Sequence, residues 1–337
     1  MTAVTLSVVI ATFNRARRLD ECLRSLHVQA WQAGDEIVVI DNGSTDDTRA
    51  VIEQHHDLAA RRPGGVADQL VPIHYVRETT PGKSAALQTG LSQARGEIVL
   101  LTDDDVRVGA GWVATMRDAM RDPSIVLAGG PVRPRWQSRP PRWLHVGNGP
   151  YNRLAAPIAL LDYGPQPQDL GSRTLLGANM AIRRDALERL GGFALHLGKL
   201  RNTLLSGEDA DLCGRVRANG WRGVYLPNAE VEHWVPATRM RLAYYLRWFY
   251  WSGITHAAID EAAATPRTHR RVHPPAWVAR HFGRAVASAA AAALRRQPAA
   301  VVDHMNDVAF AAGYAIRHGR WTGAATTAEP AGRGQPA

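Results

Sequence analysis

Cysteine is almost missing from this 337-residue chain: Cys22 and Cys213 are the only two. That excludes a disulfide framework and any cysteine cage for a metal. Both fall at helical spacing among apolar neighbours, as small buried residues do. Lysine is equally scarce, with only Lys83 and Lys199, although lysine and arginine together number 40. No run of about twenty apolar residues occurs, which excludes a membrane-spanning helix; the alanine-rich 285–294 is too short and reads as a helix core. The start, "MTAVTLSVVIATFNRARRL", has no basic region followed by an apolar stretch and a cleavage site, so the expectation is a cytoplasmic protein.

Acidic charge is the minority, and the formal net charge of +9 invites a nucleic-acid reading. Its distribution argues against one. Between Arg267 and Arg320 nine arginines face only Asp303 and Asp307, so most of the surplus sits in one C-terminal stretch. Clustered acids at 103–105 and 208–211 would repel a nucleic-acid backbone. No nucleic-acid partner is expected.

What is present is an alternation of strand and helix signals, the mark of an α/β domain. Leu6–Phe13 is a short β-branched apolar run. Leu19, Cys22, Leu23 and Leu26 then share one helical face. Glu36–Ile40 forms a second strand, after which Ser44 or Thr45 can cap a helix carrying Asp46 and Asp47 in its first turn. "IHYVRE" reads as a third strand, "GKSAALQTGLSQA" as a small-residue helix, and Glu97–Thr102 as a fourth strand running into three aspartates. A strand near Val126–Val132 opens a long irregular stretch rich in Pro, Trp and Arg. Regularity returns with a strand and short helix in "LLGANMAIRRDALERLGGF", then a helix and two short strands in "SGEDADLCGRVRANGWRGVYLPNAEVEHW". Helices follow Pro236, interrupted by a Pro/Arg/His linker at Pro266–Pro275.

Five blocks carry the chemistry: "SVVIATFNRARRLDECLRSL", "EIVVIDNGSTDDT", "GEIVLLTDDDV", "GANMAIRRDALERLGGF" and "GEDADLCGRVRANGWRGVYLPNAEVEH". In order, and over residues 6–233, they resemble the signatures of family 2 glycosyltransferases with the GT-A fold. The resemblance implies a Rossmann-like, mixed α/β nucleotide-binding sheet with flanking helices, plus a C-terminal helical region. It makes 1–235 a catalytic domain with a nucleotide-sugar half (1–130) and an acceptor half (131–235); the pattern beyond it reads as a helical region (236–320) and a Gly/Ala/Pro-rich, disordered tail (321–337). The implied activity is metal-dependent, inverting transfer of a single sugar from a UDP-, GDP- or dTDP-sugar to a hydroxyl of a glycan or lipid-linked acceptor.

Two carboxylates at i and i+2 just past a strand can face one polar cleft and hold a hard divalent cation, Mg²⁺ or Mn²⁺. The resemblance gives Asp105 to the metal and Asp103 to the donor ribose or the metal shell. The triple aspartate leaves open whether Asp104 shares either task. By the same likeness Asp41 receives a pyrimidine N–H, although Asn42 replaces the second aspartate of the usual pattern and Asn-Gly alone favours a turn. Thr12 and Arg15 are the implied neighbours of base and diphosphate. Gly82-Lys83-Ser84 looks like the end of a phosphate-binding P-loop, but Arg77 stands where that motif needs glycine. Lys83 is instead a candidate for the diphosphate. A displacement at an anomeric carbon needs a base for the acceptor's proton; the resemblance assigns Asp209, with Glu208 supporting the acceptor. Acids in a helix's first turn, with Ser206 as cap, would favour the dipole in any case. His233 is implied as a third metal ligand. Arg247-Trp248 echo a motif of processive synthases, but Tyr244 replaces its glutamine; this favours single transfer and leaves Arg247 as a diphosphate candidate.

The stretch 239–259 mixes arginine with Tyr, Trp and Phe. Such a composition suits either packing over a cleft or peripheral contact with the inner face of the cell membrane. A sugar nucleotidyltransferase is a rival reading, weakened because "TFNRARRL" lacks the glycine-rich loop after the first strand. A non-catalytic nucleotide-sugar binding protein is another, and it would have no need of Glu208–Asp209.

Overall fold

A computed structural model describes residues 4–61, 71–147, 150–200, 203–263 and 274–324. They form two compact units, Met1–Arg241 and Leu242–Ala337. In the first unit the chain runs β1 (Leu6–Thr12), α1 (Ala16–His27), β2 (Glu36–Asp41), α2 (Thr48–Arg61), β3 (Ile73–Arg77), α3 (Lys83–Gln93), β4 (Ile98–Asp103) and β5 (Val106–Val108). It continues with α4 (Trp112–Met120), β6 (Ile125–Gly129), β7 (Val132–Trp136), β8 (Gln168–Asp169), β9 (Asn179–Arg183), α5 (Arg184–Arg189), α6 (Glu208–Ala218), β10 (Arg222–Tyr225) and β11 (Val231–Val235).

Eight strands make one mixed sheet in the order β3-β2-β1-β4-β9-β6-β10-β8. β1, β2, β3 and β4 are parallel, and β9 runs antiparallel between β4 and β6. The central strands read as unbroken apolar runs because helices cover both faces, as parallel sheets require. Leu6, Val8, Val9 and Ile10, and likewise Ile37 through Ile40, are fully buried. α1 lays Leu19, Cys22, Leu23 and Leu26 on this sheet. α3 is built of small residues because it lies very close: a Cβ on Gly90 would fall 2.5 Å from Val9 Cγ1 and 2.7 Å from Ile40 Cδ1. The strands β5-β11-β7 form a second, three-stranded sheet.

Three local expectations change. The apolar run near 126–132 is two strands, β6 in the large sheet and β7 in the small one. The chain leaves the first sheet at Gly130-Pro131, where a Cβ on Gly130 would collide with the carbonyl of Ala229 and proline offers no ladder N–H. α2 is capped neither by Ser44 nor by Thr45. Asp46 accepts from the Thr48 N–H at 3.1 Å and its hydroxyl at 2.5 Å, while Ser44 and Thr45 bind the backbone and side chain of Asn14 across the loop. α6 starts after Gly207 at φ 103°, a left-handed backbone that suits glycine, so the N-cap position belongs to Gly207 and not to Ser206.

The second unit contains α7 (Leu242–Ala263), α8 (Ala276–Leu294) and α9 (Pro298–Ala324). Ala257, Val278, Ala311 and Tyr314 form its buried centre. α7 and α9 cross backbone to backbone. A side chain on Gly253 would meet the carbonyl of Phe310, and one on Gly313 that of Tyr250. On α7, Tyr245 and Phe249 are buried, and Tyr244, Trp248, Tyr250 and Trp251 are half-buried. α9 extends to Ala324; the remainder of the expected tail and linker residues 264–273 lie outside the described residues.

Candidate active site

The carboxyl ends of β1, β2 and β4 finish level. Thr12 pairs with Asp41 and Ala11 with Asp103. Strand order reverses here, with β2 on one side of β1 and β4 on the other, and open α/β sheets form their ligand crevice at such a point. The loops after β1 and β2 are tied together through Asn14, Ser44 and Asp46, the last accepting from the Ala16 N–H at 3.0 Å. That fixes Arg15. A cleft of about 400 Å³ opens above, lined among others by Thr12, Phe13, Asn42, Gly82, Lys83 and Lys199.

Asp103, Asp104 and Asp105 stand at the end of β4 with overlapping but distinct partners. Asp103 meets the Lys83 ammonium at 2.9 Å. Asp104 accepts from the Thr12 hydroxyl at 2.8 Å and from Arg15 at 2.8 Å. Asp105 accepts from Arg15 at 2.7 Å and lies 3.3 Å from His233 Nε2 on β11. Arg239 stands 3.5 Å from His233 and 3.8 Å from Asp105. Burial works against ionising all three carboxyls. Lys83 and Lys199 together outweigh it at Asp103, whose carboxyl is held below its ordinary value. His233, Arg15 and Arg239 hold Asp105 well below the carboxylate range. At Asp104 burial prevails over Arg15, and the group is pushed up to about 6.

One ligand atom from each of Asp103, Asp105 and His233 lies within 4.8 Å of the others. Asp105 Oδ1 and His233 Nδ1 are buried without a hydrogen bond. Two carboxylates and an imidazole, with Asp105 Oδ1 facing His233 Nε2 at 3.3 Å, suit a divalent cation such as Mn²⁺ or Mg²⁺.

Lys83, first residue of α3, connects this cluster to α6. Its ammonium is 3.5 Å from Glu208, which is buried at the α6 N-terminus. Asp209 follows, half-buried, and accepts the Gly177 backbone N–H. Burial, and Glu208 beside it, push the Asp209 carboxyl up to about 7. A Cβ on Gly177 would sit 2.6 Å from Asp209 Oδ1, so the close approach requires glycine.

The structure thus brings Thr12, Arg15, Lys83, Asp103, Asp104, Asp105 and His233 together, with Glu208 joined to them through Lys83. Asp41 is placed beside the cleft and does not line it. Its oxygens accept from the Ser44 N–H at 2.7 Å and the Tyr75 hydroxyl at 3.0 Å, and the next residue, Asn42, forms the wall. Arg247 lies on α7 in the second unit. Sequence reasoning missed Lys199, Arg239 and Phe13. The signal for Lys199 was its rarity: both lysines of the chain line this one cleft.

The comparisons agree with this geometry. Residues 7–191 match the model of glycosyl transferase family 2, more than half of the chain. The succinoglycan biosynthesis protein ExoM of Rhizobium meliloti (strain 1021) is 28% identical over 257 residues, covering 75% of this chain and 74% of that protein. Among solved structures, the mannosyltransferase PcManGT from Pyrobaculum calidifontis, in complex with GDP-Man and Mn²⁺, superposes with a TM-score of 0.59 at 22% identity, over 91% of this chain and 86% of that one. GalNAc-T7 with UDP, GalNAc and Mn²⁺ gives 0.54 at 17% identity, over 79% and 52%. With the mixed sheet, the acidic strand end and the family match in hand, the chain belongs to glycosyltransferase family 2 and is a nucleotide-sugar-dependent glycosyltransferase with the GT-A fold.

Proposed function

We propose that the enzyme transfers one sugar from a nucleoside-diphosphate sugar to an acceptor hydroxyl by metal-assisted, inverting direct displacement, in the synthesis of a cell-surface polysaccharide or glycoconjugate. The observation that carries this reading is the convergence of Asp103, Asp105 and His233 at the strand end, with Asp209 reached through Lys83 and Glu208. The ExoM likeness supports the polysaccharide setting, and the Mn²⁺ and nucleotide ligands of the two structural neighbours support the metal and the donor class.

Asp103, Asp105 and His233 would hold the cation, which supplies charge neutralisation for the departing diphosphate. The chain's own residues do the rest. Lys83 opens α3 at the cleft, so its ammonium meets the diphosphate there, while the Gly82 N–H donates to Asn42 and the Lys83 N–H to the Lys199 carbonyl and hold the loop in place. Thr12, Arg15, Asn42 and the exposed ring of Phe13 border the space for the nucleoside, with Asp104 anchoring Arg15 and Asp41 bracing the turn that presents Asn42. Asp209 receives the acceptor's hydroxyl proton as that oxygen attacks the anomeric carbon on the face opposite the diphosphate. Lys83 and Glu208 keep that carboxyl next to the donor. Arg247 is assigned to the diphosphate by resemblance alone.

A thermal-shift series with UDP, GDP and dTDP, each with and without Mn²⁺, tests the reading. A ligand at a hundredfold excess over Kd adds about 2.7 kcal/mol. One nucleotide should raise Tm by several degrees only when Mn²⁺ is present. Equal melting with all three, metal or none, would sink it.

A further inference from the structure

α8 turns one side inward and leaves the other open. Val278, Ala285 and Ala292, spaced at sevens, are buried at 3%, 5% and 4% exposure. A strip that starts beside this buried side and turns outward carries Phe282, Gly283, Val286, Ala290 and Leu294, apolar groups spaced three and four residues apart. Phe282 is 42% exposed, Val286 45% and Leu294 87%, and nothing lies within 4 Å of a Cβ built on Gly283. Arg280 and Arg284 flank this face and Arg295 and Arg296 close its end, all exposed, while no Asp or Glu occurs in residues 276–294. Trp277 marks the helix start, 40% exposed, with its ring 5.0 Å from that of Tyr314. An apolar strip with large side chains, bordered by arginine alone and begun by tryptophan, has the composition of a helix lying in a lipid interface.

We propose that the open face of α8 docks on an anionic phospholipid surface. Charge selects this partner over a second copy of the chain. Pairing α8 with itself would set arginine against arginine with no acid on the helix to compensate. An anionic headgroup layer complements the same arginines. The wider stretch 267–320, nine arginines against two aspartates, adds to that attraction. No described helix is long and apolar enough to cross the bilayer, so the contact is with the surface. The inference is independent of the transfer chemistry proposed above.

The test is flotation of the full-length enzyme with vesicles of phosphatidylcholine alone or mixed roughly 3:1 with phosphatidylglycerol. The enzyme should float with the anionic vesicles and not the neutral ones, and fall away as salt rises from about 0.1 to 0.5 M. Phe282→Ser with Val286→Ser, and separately Arg280→Glu with Arg284→Glu, should each lower the bound fraction about tenfold. Unchanged circular dichroism and melting show that the exposed substitutions leave the fold intact. The nucleotide-induced shift in Tm, kept in every variant, separates this proposal from the catalytic one. No flotation, equal flotation on neutral vesicles, or undiminished binding by both variants overturns it. So does a lipid-free dimer in sedimentation that Phe282→Ser with Val286→Ser dissolves, which would give the face to a second copy.

Discussion

Replacing Asp209 by asparagine separates catalysis from stability. The carboxyl is half-buried, next to Glu208, and pushed up to about 7. A base must be ionised to accept a proton. At pH 6 only about one tenth of such a group is ionised and at pH 8 about nine tenths, so kcat/KM of the wild type should climb roughly tenfold between them. The asparagine side chain would keep an oxygen for the Gly177 N–H and the same volume, but could take no proton. The variant's kcat should fall by about 10²–10⁴ and the acidic limb should vanish. Stability should move the other way. A carboxyl raised by folding stabilises the native state fully below its unfolded value near 4, and loses that contribution as pH rises through 7. Ionised Asp209 therefore costs at most about 4 kcal/mol at pH 8, less after allowance for the water that reaches it. Asp209→Asn should melt several degrees higher than wild type at pH 8 and equally at pH 4. Initial rates from pH 5.5 to 8.5, with scanning calorimetry at pH 4 and pH 8, check both. A variant that retains more than a tenth of wild-type turnover, or a wild-type profile flat across this range, refutes the assignment.

Other outcomes follow from single contacts. His233→Ala should weaken Mn²⁺ binding by at least about tenfold in titration calorimetry, and chelation should abolish transfer until Mn²⁺ is restored. Arg117, which donates to Asp35 Oδ2 at 2.5 Å and to the Val4 carbonyl at 2.6 Å inside the first unit, should cost about 3–5 kcal/mol as Arg117→Met, read from denaturant unfolding. Gly177→Ala should displace Asp209 and lower kcat with little change in nucleotide binding. Gly313→Ala should open the α7–α9 crossing and expose the second unit to limited proteolysis well before the first.

The linear pattern was enough to dictate the sheet and its chemistry-bearing ends. Runs such as Leu6–Ile10 and Ile37–Ile40 can be satisfied only between two helical layers, and a polar break after each must fall at a strand tip. Asp103–Asp105 could be placed at a strand tip for that reason, whereas Glu208–Asp209 were marked by family resemblance, since acids in a helix's first turn favour the dipole whatever the chemistry. Where the chain changes sheets at Gly130-Pro131 was not legible, since the collision that demands glycine comes from Ala229, far along the chain. Nor was the division of labour in the acidic triplet. Spacing treats Asp103, Asp104 and Asp105 alike, and only Lys83, Arg15 and His233, arriving from three other parts of the chain, tell them apart: Lys83 meets Asp103, Arg15 meets Asp104 and Asp105, and His233 meets Asp105. Nor was it legible that Asp41 meets the Tyr75 hydroxyl of the neighbouring strand and the Ser44 N–H while Asn42 lines the cleft. Local pattern sets which residues end a strand; tertiary packing alone sets which charges they meet, because the Coulomb and desolvation energies that decide a site depend on distances the linear chain does not contain.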